Sequence, residues 1–277
     1  MNGQIIRIIS NLYTVKCGEL IYGCKARGKF RNMKISPVVG DNVLIDVNDN
    51  VIVDILPRKN ELTRPVVANV DVVLIVTSVK NPNLDLNLLD KLISIVTYND
   101  IEPVICFTKL DLLNEDEINY VMNLKNYYEM IGIKVVFNSE TVEIKKLLKN
   151  KLVVLAGQTG AGKSSLINSL NSELNLKTDE ISLALGRGKH TTRHVELFEI
   201  GEGLLADTPG FSCVSLAEMS KEQIRDSFVE FSNYQCKYRD CMHDKEIGCA
   251  VKEALENKKI LQSRYENYMQ FLRSEKR

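Results

Sequence analysis

One octapeptide constrains this 277-residue chain more than any other feature: Gly157-Gln-Thr-Gly-Ala-Gly-Lys-Ser164. It matches G-x-x-x-x-G-K-[ST] in full. The apolar run Lys151-Leu-Val-Val-Leu-Ala156 precedes it, and a helix-like run from Ser165 to Leu170 follows. Strand, glycine-rich loop and helix in that order belong to a parallel α/β sheet. The composition has a chemical reason. Gly157, Gly160 and Gly162 let backbone N–H groups turn inward around phosphate oxygens, and Gln158, Thr159 and Ala161 complete the cradle. The helix N-terminus adds its partial positive charge. Lys163 is expected to reach the β- and γ-phosphates, and the Ser164 hydroxyl to ligate Mg²⁺. Ser165 is grouped with them as a nucleotide-binding residue.

The centre of the chain agrees with such a sheet. Val70 to Thr77 is a nearly continuous apolar run, as expected of a strand buried on both faces. Helix is expected from Leu86 to Thr97 and from Glu115 to Ile131. Strands are expected at Val104–Phe107, Val135–Phe137 and Gly203–Ala206. Asp207-Thr-Pro-Gly210 follows the last of these. An acidic residue at a strand end is the Walker-B position, so Asp207 is expected beside Mg²⁺, with the Gly210 N–H on the γ-phosphate.

Thr108-Lys-Leu-Asp111, after Val104–Phe107, resembles the guanine-reading element of GTPases. A carboxylate at Asp111 accepts from both N1–H and the exocyclic amine of guanine. Adenine offers no such pair. The Lys109 stem packs along the base. Threonine stands at 108 where asparagine is commoner, so a weaker tie to the phosphate loop is expected. Asn138 and Ser139, with Glu140, sit where a second base-contacting loop belongs. The ligand set is therefore GTP or GDP with Mg²⁺. In the common order the base-reading motif comes last; here it comes first, so the motifs are circularly permuted. The γ-phosphate sensor at Asp207–Gly210 then runs almost directly into the C-terminal segment and is expected to transmit its movement there.

Gly186-Arg-Gly-Lys-His-Thr-Thr-Arg-His194 occupies the place of a first switch. Thr191 or Thr192 is placed to close on the γ-phosphate and ligate Mg²⁺, Thr192 being the expected ligand. Phe211 follows Gly210, where Ras-like enzymes use a glutamine to orient water. Phenylalanine cannot do this, so intrinsic hydrolysis should be slow. His190 is the best local candidate to orient or deprotonate water, ahead of His194. An arginine from a partner is an alternative.

The flanks differ from the centre. Residues 1–64 hold five short apolar runs, at Ile5–Ile9, Tyr13–Val15, Leu20–Tyr22, Val43–Ile45 and Val51–Val53, separated by turn residues. Such spacing suits a small β-barrel of the OB-fold kind. A linker is expected over Leu56–Pro65. Lys25, Arg27, Lys29 and Arg31 alternate, and would share one face if extended, with Phe30 on the other. Residues 1–64 carry a net +4, 65–218 a net −6 and 219–277 a net +2. Mildly basic flanks hint at a polyanionic partner.

Of seven cysteines, Cys17, Cys24, Cys106 and Cys213 are scattered, whereas Cys236, Cys241 and Cys249 share a polar stretch with His243. Three thiolates and an imidazole make the closed set of one structural zinc ion. Lys237, Arg239 and Lys245 between them are expected to lower the thiolate pKa values. Helices are expected at Lys221–Phe231 and Ala250–Arg273. No apolar run is long enough for a membrane span. The N-terminus lacks a signal-peptide pattern, so a cytoplasmic location without membrane association is expected.

Taken together, Thr108–Asp111 ahead of Gly157–Ser164, then Gly186–Thr192, Asp207–Phe211 and the Cys236/Cys241/His243/Cys249 set resemble the ribosome-small-subunit-dependent GTPase A family, of the RsgA/YjeQ type. The resemblance covers essentially the whole chain. It implies an N-terminal OB-fold over 1–64, a permuted P-loop GTPase domain over 65–218 and a small, mainly α, zinc-binding domain over 219–277. It implies late maturation of the 30S subunit in the bacterial cytoplasm, contact with its 16S rRNA, and GTP hydrolysis stimulated by that subunit. His190 would be the catalytic histidine, acting with Lys163 and Asp207. Asn138-Ser-Glu140 is a loose version of the family's last base-binding motif. A monomer is expected. Two rivals remain: an RNA-binding module holding GTP as a structural ligand, which Phe211 favours, and an ATP-using P-loop enzyme, which Thr108–Asp111 opposes.

Overall fold

The computed structural model describes residues 1–28, 30, 35–63, 65–171, 195–207 and 215–274. In chain order, β1 (Asn2–Ile9), β2 (Leu12–Cys17), β3 (Leu20–Ala26), β4 (Asn42–Asp46) and β5 (Val51–Ile55) come first, followed by β6 (Glu61–Thr63) and β7 (Val66–Ala68). Strands and helices then alternate: β8 (Val72–Ser78), α1 (Leu86–Tyr98), β9 (Glu102–Thr108), α2 (Glu115–Met130), β10 (Lys134–Phe137), α3 (Thr141–Leu148), β11 (Leu152–Ala156) and α4 (Lys163–Leu170). After these come β12 (Glu196–Ile200), β13 (Gly203–Asp207), α5 (Lys221–Ser227), α6 (Ala250–Glu256) and α7 (Gln262–Ser274). The chain divides into two compact units. The first is Met1–Leu74, Ser139–Ala156 and Lys163–Phe211; the second is Ile75–Asn138, Gly157–Gly162 and Ser212–Arg277.

In the first unit, the strand order β1-β2-β3-β5-β4 closes because β1 also pairs with β4. This is the five-stranded barrel expected of the first 64 residues. Alternation builds its core: Tyr13, Val15 and Cys17 of β2 point in, joining Ile5, Val43 and Ile52. Phe30 is buried in the same core. The basic run does not continue as a strand, however. β3 ends at Ala26, and the Phe30 N–H donates to the Arg27 carbonyl at 3.3 Å. Lys25 and Arg27 are both exposed, Lys25 within the strand and Arg27 just past its end; Lys29 and Arg31 lie outside the described residues.

The expected linker also has structure. Glu61–Thr63 pairs with Val66–Ala68 in register Leu62↔Val67, and both of those side chains are buried. Asp41, fully buried, anchors the approach: the Arg58 Nε donates to its Oδ1 at 2.7 Å and a second guanidinium nitrogen to its Oδ2 at 2.8 Å. The Asp41 bond, outweighing partial burial, raises the Arg58 pKa above its ordinary value. Gly40, at φ 89°, lies so close to the hairpin that a Cβ would meet the Ala68 carbonyl oxygen at 2.1 Å. Three-residue strands in a polar sequence carry no period to read, which is why the run looked like a linker.

The rest of the first unit pairs β11 with β13 in parallel, Leu152↔Leu204, and β13 with β12 antiparallel, Leu197↔Ala206. β12 borders β1 at Arg7↔Glu196. Asp71 ties in through two bonds, its N–H to the Leu152 carbonyl at 2.9 Å and its carboxylate from the Leu152 N–H at 2.7 Å.

In the second unit, β10, β9 and β8 lie side by side, with β10 and β9 parallel in register Val136↔Cys106. Every residue of β8 is buried. Asp85 caps α1 by accepting from the Leu88 N–H, and Asn114 with Glu117 forms a capping box at α2. Both C-terminal helices expected from sequence are broken. The first ends at Ser227, and a 3₁₀ turn, Val229–Asn233, follows. Leaving helical geometry at Phe228 buries both Phe228 and Phe231, whose rings stack at 5.3 Å. The second breaks after Glu256: Lys258 is left-handed at φ 58°, Ile260 turns inward, and α7 restarts at Gln262.

A buried ionic network holds these C-terminal elements. Arg264 of α7 is fully buried. It grips Glu230 with two bonds, at 2.7 and 2.8 Å, and reaches Asp90 of α1 at 2.9 Å. Tyr128 of α2 donates to Asp90 at 2.9 Å, and Asn267 at 2.7 Å. The guanidinium lies 4.4 Å from the Phe228 ring centroid. Burial opposes its charge, but Asp90 and Glu230 outweigh that and hold its pKa above the ordinary value.

Candidate nucleotide and metal sites

Local geometry explains why the octapeptide needs its glycines. Gly157, Gly160 and Gly162 have φ of 125°, 78° and 94°. At Gly157 there is no room either: a Cβ would stand 2.0 Å from the Val76 carbonyl oxygen of β8. Left-handed glycines interspersed with other residues are the backbone pattern from which anion-binding nests are built. Lys163 and Ser164 open α4 directly after it, and Ser165 follows, exposed.

The base-reading motif adjoins the cradle within the second unit. Thr108 ends β9, is buried, and donates from its hydroxyl to the Ala161 carbonyl at 2.7 Å. The weaker tie expected of threonine is thus a short, buried, direct bond. Lys109 takes a left-handed conformation, φ 64°, and its ammonium donates to the Asn81 carbonyl. That turn starts a 3₁₀ helix, Leu110–Leu112, on which Asp111 is exposed. β10 pairs with β9, and the Asn138 N–H donates to the Phe107 carbonyl at 3.0 Å. Asn138 and Ser139 therefore emerge, both exposed, beside the strand that delivers Thr108. Asp207 is described as the last residue of β13, opposite Glu196. His190, Thr191, Thr192, His194, Gly210 and Phe211 lie outside the described residues.

Sequence reading missed Asn81, which holds Lys109, and Val76, which packs on Gly157. Neither has a motif; both act through backbone carbonyls, to which side-chain patterns give no clue.

The second site is the thiol–imidazole cluster. The ligand atoms of Cys236, Cys241, His243 and Cys249 all lie within 4.8 Å of one another. His243 Nδ1 is 3.5 Å from the Cys236 sulfur and 3.3 Å from that of Cys249. Three soft sulfurs and one nitrogen converging in a mostly buried pocket fit a tetrahedral zinc ion with no open position. The chain around the ligands is fixed independently. Tyr265 and Tyr268 of α7 donate to the His243 and Met242 carbonyls, each at 2.6 Å. The Glu246 carboxylate accepts from the Met242 and Asp244 N–H groups at 2.8 and 2.9 Å. Phe231 packs edge-on against the imidazole at 5.2 Å.

The basic neighbours are not what tunes these thiols. Burial pushes Cys241 up to about 12 and raises Cys249. At Cys236 burial is outweighed by the Val251 and Ala250 N–H groups at the start of α6, so its pKa falls. Burial also lowers the His243 pKa, keeping the imidazole neutral, the form that ligates a metal. Lys237 instead turns over the Tyr238 ring, 5.6 Å from its centroid. Side-chain cations are not among the leading influences on these thiols, whereas backbone N–H groups bond the Cys236 sulfur directly.

The chain is similar to known proteins along its whole length. Residues 55–217 match the family model described as RsgA GTPase, and residues 2–52 that of the RsgA N-terminal domain. A protein of Enterococcus faecalis named small ribosomal subunit biogenesis GTPase RsgA is 48% identical over 98% of this chain and 94% of its own. One of Oceanobacillus iheyensis, named small ribosomal subunit biogenesis GTPase RsgA 2, is 48% identical over 98% and 96%. The crystal structure of YjeQ from Thermotoga maritima superposes with a TM-score of 0.86 at 35% identity, covering 99% of this chain and 98% of that one. YloQ, described as a circularly permuted GTPase, superposes with a TM-score of 0.84 at 34% identity, covering 99% and 94%. A closed barrel, a P-loop sheet whose base-reading strand precedes its phosphate loop and a Cys₃His cluster, matched from end to end by these relatives, place the chain in the RsgA GTPase family.

Proposed function

We propose that this chain hydrolyses GTP to GDP and phosphate while bound to the small ribosomal subunit, whose late maturation it assists. The observation that carries the reading is the Thr108–Ala161 bond, which sets a guanine-reading motif directly against a phosphate cradle. The names of the full-length relatives point to the same partner.

Each residue has a task. The backbone of Gly157–Gly162 cradles the phosphates, while Lys163 neutralises the β- and γ-oxygens. Asp111 selects guanine, Lys109 flanks the base, and Asn138 and Ser139 close its other side. Ser164, Thr192 and Asp207 are assigned to Mg²⁺, which when bound neutralises charge developing on the phosphates. Gly210 contacts the γ-phosphate, and Thr191 closes with the switch. His190 positions or deprotonates water where Phe211 replaces a glutamine. Residues 1–64 and 219–277, which flank the GTPase domain at 65–218 in the sequence, hold 16S rRNA. Cys236, Cys241, His243 and Cys249 hold one structural zinc. The protein works as a monomer in the cytoplasm. No helix among the described residues is long and apolar enough to cross a membrane.

The test is multiple-turnover GTP hydrolysis with and without purified 30S subunits. Stimulation of tenfold or more is expected. Unchanged turnover, with zinc bound and GTP bound tightly, would replace this reading with that of a GTP-holding RNA-binding module. Displacement of GTP by ATP at equal concentration would point instead to an ATP-using enzyme.

A further inference from the structure

A cleft of ≈ 580 Å³ opens on the C-terminal elements of the second unit, and Cys236, Cys241 and His243 of the Cys₃His cluster are among its lining residues. Phe228 and Phe231, buried and stacked on each other, line it together with Tyr234, Tyr238, Arg225, Lys237 and Arg239. Asp226 is the one carboxylate among the lining residues, and Arg225 already binds it at 2.7 Å. Lys237 and Arg239 are thus left to set the sign of the field. Tyr238 is 46% exposed, large for an aromatic ring, with the Lys237 ammonium beside it.

Exposed ring, adjacent cations and a concave wall together select a flat, π-faced ligand that carries negative charge. A nucleotide has both parts. Unpaired bases are bound by stacking on tyrosine, with nearby cations on the phosphate. An acidic peptide would use the cations and leave the ring idle. The cleft holds none of the glycine-rich loop, so it is not the GTP site.

We propose that this cleft captures one unstacked nucleotide of single-stranded RNA, its base on Tyr238 and its phosphate on Lys237 and Arg239. The proposal rests on the reading of the protein as a ribosome-binding factor, and names the class of rRNA element that its C-terminal part grips: a loop or bulge with a base turned out, not a regular duplex. Duplex RNA offers no free base face to Tyr238.

The experiment uses the zinc-loaded full chain and a fluorescein-labelled hexauridylate, followed by anisotropy. Tyr238→Ala should weaken binding about tenfold, whereas Tyr238→Phe, which keeps the ring, should bind like the parent. A blunt-ended RNA duplex with no unpaired base should bind both parent and Ala variant equally. Zinc content and melting temperature report whether the Ala variant is folded. If the parent does not bind hexauridylate, if the folded Ala variant binds it as well as the parent, or if a hexaglutamate peptide displaces it at equal concentration, the proposal is overturned. Co-sedimentation with 30S subunits separates the two readings. Parent that pellets with 30S while Tyr238 proves irrelevant removes the cleft alone; Tyr238-dependent binding of hexauridylate without 30S pelleting removes the ribosome and keeps the cleft.

Discussion

Gly157 shows how much function hangs on a missing side chain. Its positive φ and the 2.0 Å approach to the Val76 carbonyl leave no space for a methyl group. Gly157→Ala must therefore shift the phosphate loop away from β8. We expect GTP affinity to fall by more than tenfold, read by fluorescent-nucleotide titration, with the protein still folded by circular dichroism. Thr108→Val keeps the shape and deletes one donor. It strands the Ala161 carbonyl, a loss of about 1 kcal/mol, so GTP affinity should drop about fivefold. Asp111→Asn tests the base. An amide replaces one acceptor with a donor, so guanine loses a partner while xanthine, which carries a carbonyl there, gains one. GTP binding should collapse and XTP binding appear in a competition titration; equal binding of both by the variant would remove Asp111 from base reading.

At the scale of elements, the C-terminal helices stay in place through charge rather than through a zinc site alone. Arg264 is the only cation between the buried carboxylates of Asp90 and Glu230 in the network described. Arg264→Ala leaves both without their partner, a loss of about 3–5 kcal/mol that urea unfolding will read. Replacing it with lysine cannot restore the two-pronged grip on Glu230 and should recover only part of that. Zinc removal acts on the other end of the same region. Chelation should loosen the loop that carries His243, because Phe231 and Tyr268 pack on that imidazole and its neighbour's carbonyl. Near-ultraviolet circular dichroism should lose tyrosine signal on chelation and regain it on adding zinc. A chelated protein with an unchanged spectrum would mean that the tyrosine bonds alone hold the loop.

The whole molecule sets limits that no element sets alone. Asp90 and Tyr128 belong to the helices around β9, yet the ionic partner of Asp90 lies 174 residues later in the chain. A chain cut after residue 218 would lose Arg264 and Asn267 from Asp90 and uncover the face of α1 on which α7 packs. We expect this truncated protein to melt at least 5 °C below the full chain, about what a loss of 2–3 kcal/mol gives in a domain of that size. Melting at the same temperature would show that the C-terminal elements add nothing to the stability of α1 and α2.

Much of this protein is written locally. Five short apolar runs announced the barrel, the octapeptide announced the phosphate loop, and three cysteines with a histidine announced a metal cluster. These signals are legible because each depends on residues within a few positions: strand-length runs between turn residues, glycine torsions, ligand spacing. Longer-range facts had no such trace. The hairpin Glu61–Ala68 exists because Arg58 reaches back to a buried Asp41. The breaks at Phe228 and Lys258 exist because Phe231 and Ile260 find a core there. Thr108 reaches a carbonyl 53 residues away, and the Cys236 thiol is lowered by N–H groups at the start of a helix it precedes. The sequence alone settled which chemistry the chain carries, because torsions and ligand types are properties of single residues and their neighbours. The tertiary structure alone decided how those parts are held and tuned, because burial and hydrogen bonding depend on what the fold brings alongside.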